Sequence, residues 1–125
     1  MQLIIAGALA ALIGIAVVVM GSSFFWAPQG AAGFGIPNPP IQDPAFRAWL
    51  CIKGIRDMAT GACILVLLAV GPPALLGGLI LTLALIPIGD ATMVLRNKGP
   101  KSAAYGVHAS SAAVMIAVAL LLLTA

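Results

Sequence analysis

The sequence predicts an all-α protein, a bundle of four transmembrane helices, on three observations. Of the 125 residues, 62% are hydrophobic and only 7% are charged, whereas a typical soluble domain has about 25% charged residues. The apolar residues form four long runs, and prolines, glycines and basic residues separate these runs. A soluble domain of this size would bury only about two-thirds of its surface. The composition therefore excludes a soluble enzyme, a disordered tail and a nucleic-acid-binding module.

The first apolar run extends from Leu3 to Gly21 without a charged residue. This length is about right to cross a hydrocarbon core of roughly 30 Å. No basic segment precedes the run, and it is too long for the apolar part of a signal peptide. We therefore expect a retained span over residues 3–21. Residues 22–44 are rich in proline and glycine, which predicts an irregular connection.

The second helix is predicted over residues 45–70. Pro44 suits the first helical position and Asp43 is available as the N-cap. The first half of this helix carries charged residues, and its second half is almost entirely apolar. Residues 71–73 read Gly-Pro-Pro, which predicts a tight break.

The third and fourth spans are predicted over residues 74–97 and 101–124. Pro87 lies inside the third span, where it should kink the helix or free a backbone carbonyl. A short basic turn separates the two spans. The chain is thus expected to be one membrane domain over residues 1–125, without a soluble domain.

The distribution of basic residues predicts an orientation. With four spans, the first and third connections share one side of the membrane, and the termini lie on the other. All basic residues lie in or near those two connections: Arg47, Lys53, Arg56, Arg96, Lys98 and Lys101. The positive-inside rule makes this side cytoplasmic and places both termini outside. We expect the membrane to be a bacterial inner membrane.

Three ionisable residues are predicted at similar depth in the cytoplasmic half of the bundle: Asp57, Asp90 and His108. An ionisable group inside the bilayer costs about 3 kcal/mol or more, so these groups should turn inward and pair. We expect a polar pocket among the second, third and fourth helices that opens toward the cytoplasm. Asp57 and Asp90 are its candidate acids and bases, and His108 its candidate proton shuttle or hydrogen-bond donor.

Further side chains share helical stripes with these three groups and are predicted to bind a ligand. They are Trp49, Lys53, Arg56, Asn97 and Tyr105. Asp90 could pair with Arg56 or Lys53, and Asp57 with Lys53, His108 or Tyr105. These pairs could also serve only to fix the register of the helices, at about 0.6–2 kcal/mol each.

Small residues have simpler interpretations. Four glycines are predicted to allow close helix approach: Gly7, Gly14, Gly77 and Gly78. Cys51 and Cys63 lie too far apart along one helix to form a disulfide and are read as apolar fillers. One histidine with three aspartates is a poor metal set, and no redox motif or phosphate-binding loop is present. No metal and no cofactor are expected.

Several short motifs stand out along most of the chain. They are Phe34-Gly35-Ile36-Pro37, Lys53-Gly54-Ile55-Arg56-Asp57 with Gly61, Gly89-Asp90, Leu95-Arg96 and His108. On these motifs the chain resembles a family of small four-helix membrane proteins of unknown function, mostly bacterial and fungal. That family is distantly similar to DoxX-like proteins. The resemblance implies the four-helix architecture and an interest in Arg56, Asp57, Asp90 and His108, but no known reaction.

Three functions fit these features. The protein has the lipid bilayer as its partner, and its pocket could bind a lipophilic small molecule. It could transform this molecule by acid/base isomerisation, cyclisation or epoxide opening, which needs only proton-transfer groups. The chain could instead be a non-catalytic accessory subunit of a larger membrane complex. Transport of a small solute or of protons would require a homo-oligomer, because four short helices leave little room for a pathway.

Overall fold

The computed structural model describes all residues from 1 to 125, and the chain is helical with no strand. The α-helices are α1 (Gln2–Trp26), α2 (Pro44–Val70), α3 (Pro73–Leu83), α4 (Leu85–Arg96), α5 (Lys101–Ala103) and α6 (Ser110–Leu123). A 3₁₀ segment, Pro28–Phe34, follows α1, and a π segment, Ala104–Ala109, joins α5 to α6. We call the continuous stretch Lys101–Leu123 the C-terminal helix.

Three helical stretches are long and apolar enough to cross a membrane, namely α1, the α3–α4 stretch Pro73–Arg96 and the C-terminal helix. They indicate a membrane protein. α2 has 27 residues, but Lys53, Arg56 and Asp57 fall in every 18-residue window of it. Length and composition therefore do not decide whether α2 crosses the membrane.

α1 continues to Trp26, beyond the expected end at Gly21. The hydroxyls of Ser22 and Ser23 donate to the carbonyls of Val19 and Met20, so both polar side chains are satisfied within the helix. The 3₁₀ segment then begins at Pro28. The connection over residues 22–44 is therefore more ordered than its proline and glycine content predicted.

The start of α2 follows the predicted capping pattern. Asp43 accepts a hydrogen bond from the Ala45 amide at 3.0 Å, and Pro44 occupies the first helical position. The helix ends at Val70, before Gly71 and the two prolines. Local sequence signals thus set both ends of this helix.

The break between α3 and α4 lies at Ala84, one turn before Pro87. Proline has no amide hydrogen, so it cannot donate to the carbonyl four residues earlier, which belongs to Leu83. The expected interruption therefore occurs on the N-terminal side of the proline. It divides the α3–α4 stretch into two α-helical segments.

The π segment of the C-terminal helix has no counterpart in the sequence-based prediction. Ser110 donates to the Gly106 carbonyl at 2.7 Å, and Ser111 donates to the Val107 carbonyl at 2.6 Å. A π turn alters the backbone hydrogen bonds of nearby carbonyls, and these two hydroxyls donate to two of those carbonyls. The segment contains His108.

α1 and α2 pack antiparallel along a seam of glycines. A Cβ atom added to Gly61 would lie 2.5 Å from the Gly14 carbonyl oxygen. One added to Gly21 would lie 2.6 Å from the Gly54 carbonyl oxygen. The backbones therefore touch where only glycine fits. We call these four residues the glycine seam.

Only two of the four glycines that were expected to allow close helix approach do so in the structure. Gly14 belongs to the seam, and a Cβ on Gly77 would meet the Ala119 carbonyl at 3.1 Å. In contrast, a Cβ on Gly7 would have ordinary contact distance to Leu68, and one on Gly78 would meet nothing within 4 Å. The prediction for Gly7 and Gly78 is corrected, because hydropathy does not show which helix face meets a neighbour.

The two ends of the bundle differ. Gln2 donates to the Leu121 carbonyl at 2.9 Å, which joins the start of α1 to the end of α6. The core at this end contains the buried side chains of Leu76, Ile80 and Val118. The opposite end contains the basic residues and, beneath the connection after α1, a cavity.

Candidate functional site

A cavity of about 210 Å³ lies between α1, α2, α4 and the C-terminal helix. Most of its wall is apolar, with a few convergent polar side chains, as is usual for small-molecule sites. Its lining residues are Ala16, Val17, Met20, Phe34, Lys53, Asp57, Thr60, Ile64, Leu83, Ile86, Pro87, Asp90, Val107, His108, Ser111 and Met115.

His108 is the buried polar residue of this site, with 4% of its surface exposed. Its Nε2 atom lies 2.7 Å from the Phe34 carbonyl oxygen. Because a carbonyl can only accept, Nε2 carries the hydrogen and donates it. In the neutral ring Nδ1 is then the basic nitrogen, and it is directed toward Asp90. The Phe34 ring also packs edge-on against the imidazole, with 4.5 Å between centroids.

The position of Phe34 depends on Gly35, which ends the 3₁₀ segment. Gly35 has φ of +106°, a left-handed conformation that favours glycine. A Cβ at Gly35 would lie 2.8 Å from the Ala103 Cβ and 2.9 Å from a Val94 methyl. The connection is therefore docked tightly on α4 and α5, which holds the Phe34 carbonyl in place for His108.

Asp90 faces His108 across the cavity. Its Oδ2 atom is 3.9 Å from His108 Nδ1, and 29% of its side chain is exposed. This distance exceeds that of a direct hydrogen bond, so the carboxyl group keeps acceptor positions open to the cavity. The two residues form a pair that can hold one proton, either on Asp90 or on the imidazole.

Lys53 and Asp57 form the second polar pair of the cavity. Their Nζ and Oδ2 atoms are 2.6 Å apart, one helical turn along α2. The ammonium group also lies over two aromatic rings, 4.6 Å from the Phe34 centroid and 5.2 Å from the Phe24 centroid. Such rings attract cations. Lys53 is therefore held between the Asp57 carboxylate and the rings of Phe24 and Phe34.

The structure thus brings four of the predicted site residues to one cavity, namely Lys53, Asp57, Asp90 and His108. It pairs Lys53 with Asp57, and it places His108 beside Asp90. The expected alternatives of Asp57 with His108 and of Asp90 with Arg56 are not formed. The catalytic and binding roles of these residues stay predictions.

The other four predicted residues do not line the cavity, which corrects the expected set. Trp49 and Tyr105 are 69% and 58% exposed. Arg56 is exposed on α2 beside the inward-facing Asp57, and Asn97 is exposed and donates to the Met93 carbonyl. Helical spacing could not choose between adjacent residues. In the C-terminal helix, the π segment changes the number of residues per turn, so Tyr105 and His108 do not share one face.

Phe34 is a site residue that sequence reasoning did not identify as such. It contributes its ring, its carbonyl and a contact to Lys53. The only sequence signal was its place before Gly35 in a short motif. No group of three or more His, Cys, Asp or Glu residues in the chain is arranged to hold a metal ion.

A family described as a domain of unknown function, DUF4267, matches residues 14–122. The chain belongs to the DUF4267 family. This agrees with the resemblance to a family of unknown function, while the similarity to DoxX-like proteins stays a prediction. Every residue that lines the cavity falls within the DUF4267 match. No curated protein and no solved structure matches the chain.

Proposed function

We propose that the cavity binds a lipophilic small molecule and transforms it by proton transfer, through isomerisation, cyclisation or epoxide opening. One observation carries this proposal. Asp90 and the basic nitrogen of a histidine with a defined tautomer face the same largely apolar cavity. A carboxyl group in such a site can give or take a proton, and the imidazole can hold that proton in between.

The proposed chemistry needs no other reagent for isomerisation or cyclisation. The Asp90–His108 pair gives its proton to an oxygen or a double bond of the ligand, and Asp57 takes a proton released elsewhere on the ligand. One proton is added to the ligand and one is removed, so the composition of the ligand is unchanged. The proton on Asp57 then returns to the Asp90–His108 pair through water before the next turnover. In epoxide opening, the pair protonates the epoxide oxygen as the carbon–oxygen bond breaks, and Asp57 takes a proton from the attacking water.

Lys53 has a positioning role in this proposal. Its salt bridge orients the Asp57 carboxylate, and the Phe34 ring contacts both Lys53 and His108. The Phe34 ring therefore connects the two polar pairs through direct contacts. The rigid packing of Gly35 on Val94 and Ala103 supports this arrangement.

We further propose that all four long helical stretches cross the membrane as an up-and-down bundle, with α2 as the fourth span. α2 lies lengthwise along α1 through the glycine seam, and its apolar second half leaves Val66 and Val70 exposed. These features support placing α2 in the same layer as α1. The basic end would then face the cytoplasm of a bacterial inner membrane, by the positive-inside rule. We keep the distant similarity to DoxX-like proteins as a proposal.

Labelling of single cysteines tests this topology. We expect a membrane-impermeant maleimide added to intact cells to label a Thr124→Cys variant and to spare a Lys98→Cys variant, both made without Cys51 and Cys63. Permeabilised cells should show both sites labelled. Labelling of residue 98 but not of residue 124 in intact cells would reverse the proposed orientation.

Native mass spectrometry tests the proposed function directly. We expect the detergent-purified protein to carry a co-purified small molecule that is lost in Asp90→Asn. The matched control is Asp43→Asn, because Asp43 caps α2 outside the cavity and asparagine caps helices about as well. This control should retain the molecule.

Two results would contradict the proposal. Loss of the small molecule in both variants would show that its binding does not depend specifically on Asp90. A protein that never carries a small molecule, and that purifies only with another polypeptide, would favour the accessory role in a larger membrane complex.

A further inference from the structure

A groove adjoins the cavity on the side where α1 meets the C-terminal helix. It has a volume of about 250 Å³ and shares four lining residues with the cavity, namely Ala16, Val17, Ser111 and Met115. Ile13 and Val114 extend it toward the surface, where Val114 is 50% exposed. The cavity and the groove are therefore neighbouring spaces with these four residues at their boundary.

The groove opens between two of the most apolar helices of the chain. α1 and the C-terminal helix are both long and apolar enough to span a membrane. The opening between them therefore faces the hydrocarbon of the bilayer. The Ser111 hydroxyl at the boundary donates to the Val107 carbonyl, so it leaves no unsatisfied donor in the apolar passage.

The volumes of the cavity and the groove indicate that a ligand extends from one into the other. Small-molecule sites usually have volumes of about 300–1,000 Å³. The cavity alone, at about 210 Å³, is below that range. The groove alone is also below it, but the cavity and the groove together exceed the lower limit. A ligand of ordinary size would therefore place its polar part in the cavity and its apolar part in the groove.

The charges of the cavity limit the polar part of the ligand. Lys53 is already paired with Asp57, and Asp90 faces the Nδ1 atom of His108. If the second pair holds one proton, on either residue, the two pairs together carry no net charge. An anionic head group would meet the Asp90 carboxyl without a free cation, and a cationic head group would compete with His108. An uncharged oxygen can accept the proton of the pair, and a hydroxyl can also donate to Asp90.

From this geometry we infer the class and the route of the ligand. It is a single-chain amphiphile with an uncharged oxygen-bearing head group, such as a long-chain alcohol or epoxide. It enters from the bilayer between α1 and the C-terminal helix and keeps its chain in the groove. This inference rests on the proposed function and adds to it the substrate class and the direction of entry.

Photolabelling of the protein in lipid nanodiscs tests the inference. The probe is dodecanol with a diazirine in the middle of its chain. We expect saturable labelling on the groove-lining parts of α1 and α6, competed by unlabelled dodecanol. Dodecanoate and dodecylamine should compete about tenfold less well, which corresponds to about 1.4 kcal/mol. Stronger competition by dodecanoate or dodecylamine than by dodecanol would overturn the inference that the head group is uncharged.

Matched variants test the route. Ala16→Phe should fill the groove and reduce saturable labelling about tenfold. The control is Ala8→Phe, which makes the same change at an exposed position on a different face of α1 and should leave labelling unchanged. Val114→Phe narrows the groove from the other helix and replaces Ala16→Phe if that variant does not fold.

The inference and the proposed function can fail separately. If labelling is saturable but Ala16→Phe and Val114→Phe do not alter it, the groove is not the route, while the cavity still binds. If the probe does not label saturably although native mass spectrometry finds a molecule lost in Asp90→Asn, the ligand class is wrong and the proposed function stands. If both experiments fail, both the inference and the proposed function are wrong.

Discussion

The two sides of α1 show how one helix can be packed in two different ways. Toward α2, Gly14 and Gly21 bring the two backbones into contact along the glycine seam. Toward the C-terminal helix, Ala16 and Val17 border a groove of about 250 Å³. The side of α1 that faces α2 thus holds the bundle together, and the side that faces the C-terminal helix leaves room for a ligand.

The physical difference lies in the residues that face each neighbour. Glycine permits close contact and strong dispersion between backbones, which is a main source of helix association inside membranes. On the other side, the hydroxyls of Ser110 and Ser111 donate to carbonyls of their own helix, so they leave no unsatisfied donor in the groove. Stability is therefore expected to depend mainly on the glycine seam, and ligand binding on the cavity side.

The largest expected effect is at the glycine seam. Gly61→Ala places a Cβ 2.5 Å from the Gly14 carbonyl oxygen, so the helices must move apart. Overpacking of this kind lowers the free energy of unfolding by about 1–3 kcal/mol. Denaturation in detergent micelles, followed by circular dichroism, measures this change.

The control for this prediction is Gly78→Ala, whose Cβ would meet nothing within 4 Å. Alanine favours helices by up to about 1 kcal/mol over glycine, so this variant should be slightly stabilised. Equal effects of the two substitutions would mean that the seam does not carry the packing assigned to it.

The next effect concerns the connection that positions His108. Gly35→Ala forces a side chain into a left-handed conformation and against Ala103 and Val94. The strain should lower stability by about 1–2 kcal/mol and move the Phe34 carbonyl away from His108. Nitrogen-15 shifts of the imidazole should then show a mixture of tautomers.

Gly33→Ala is the matched control, since its Cβ would meet nothing within 4 Å in the same 3₁₀ segment. It should retain the single tautomer with the hydrogen on Nε2. A single unchanged tautomer in Gly35→Ala as well would show that the connection does not position His108.

A smaller effect is expected for the pair of charges on α2. Lys53→Met, Asp57→Asn and the double variant form a mutant cycle. The coupling energy should be about 1 kcal/mol, because polar contacts in membrane proteins contribute about 0.6–2 kcal/mol. A coupling energy near zero, measured by denaturation, would leave Lys53 without its positioning role.

The smallest effect concerns the π segment beside the groove. Ser111→Ala removes the donor to the Val107 carbonyl and should destabilise the protein by about 0.5 kcal/mol. Hydrogen exchange of the amides in residues 104–109 should become faster. Ser22→Ala, which removes a similar bond within a regular helix, should leave that exchange unchanged, and matching exchange in the two variants would contradict a special role for Ser111.

Much of the secondary structure could be predicted because its signals are local. Asp43 and Pro44 mark the start of α2, and Gly71 marks its end. The interruption near Pro87 also follows from chemistry at one residue. The extension of α1 to Trp26 could not be read in this way, because aromatic and serine residues are compatible with both a helix and a connection.

Half of the candidate site residues could be placed from helical spacing and charge. Lys53 and Asp57 are one turn apart on a regular helix, so their pairing was foreseeable. Tyr105 was misplaced because the π segment changes the register of the C-terminal helix. Phe34 was missed because it reaches the cavity from a connection, where no periodicity predicts the direction of a side chain.

The sequence by itself determined a helical, strongly apolar chain with its basic residues gathered near two connections. These properties depend on composition and on neighbours a few residues apart. Only the tertiary structure decided that His108 faces Asp90, that Phe34 defines the tautomer and that a groove adjoins the cavity. These features depend on the distance between helices, which the glycine seam and the docking of Gly35 set through contacts between distant parts of the chain.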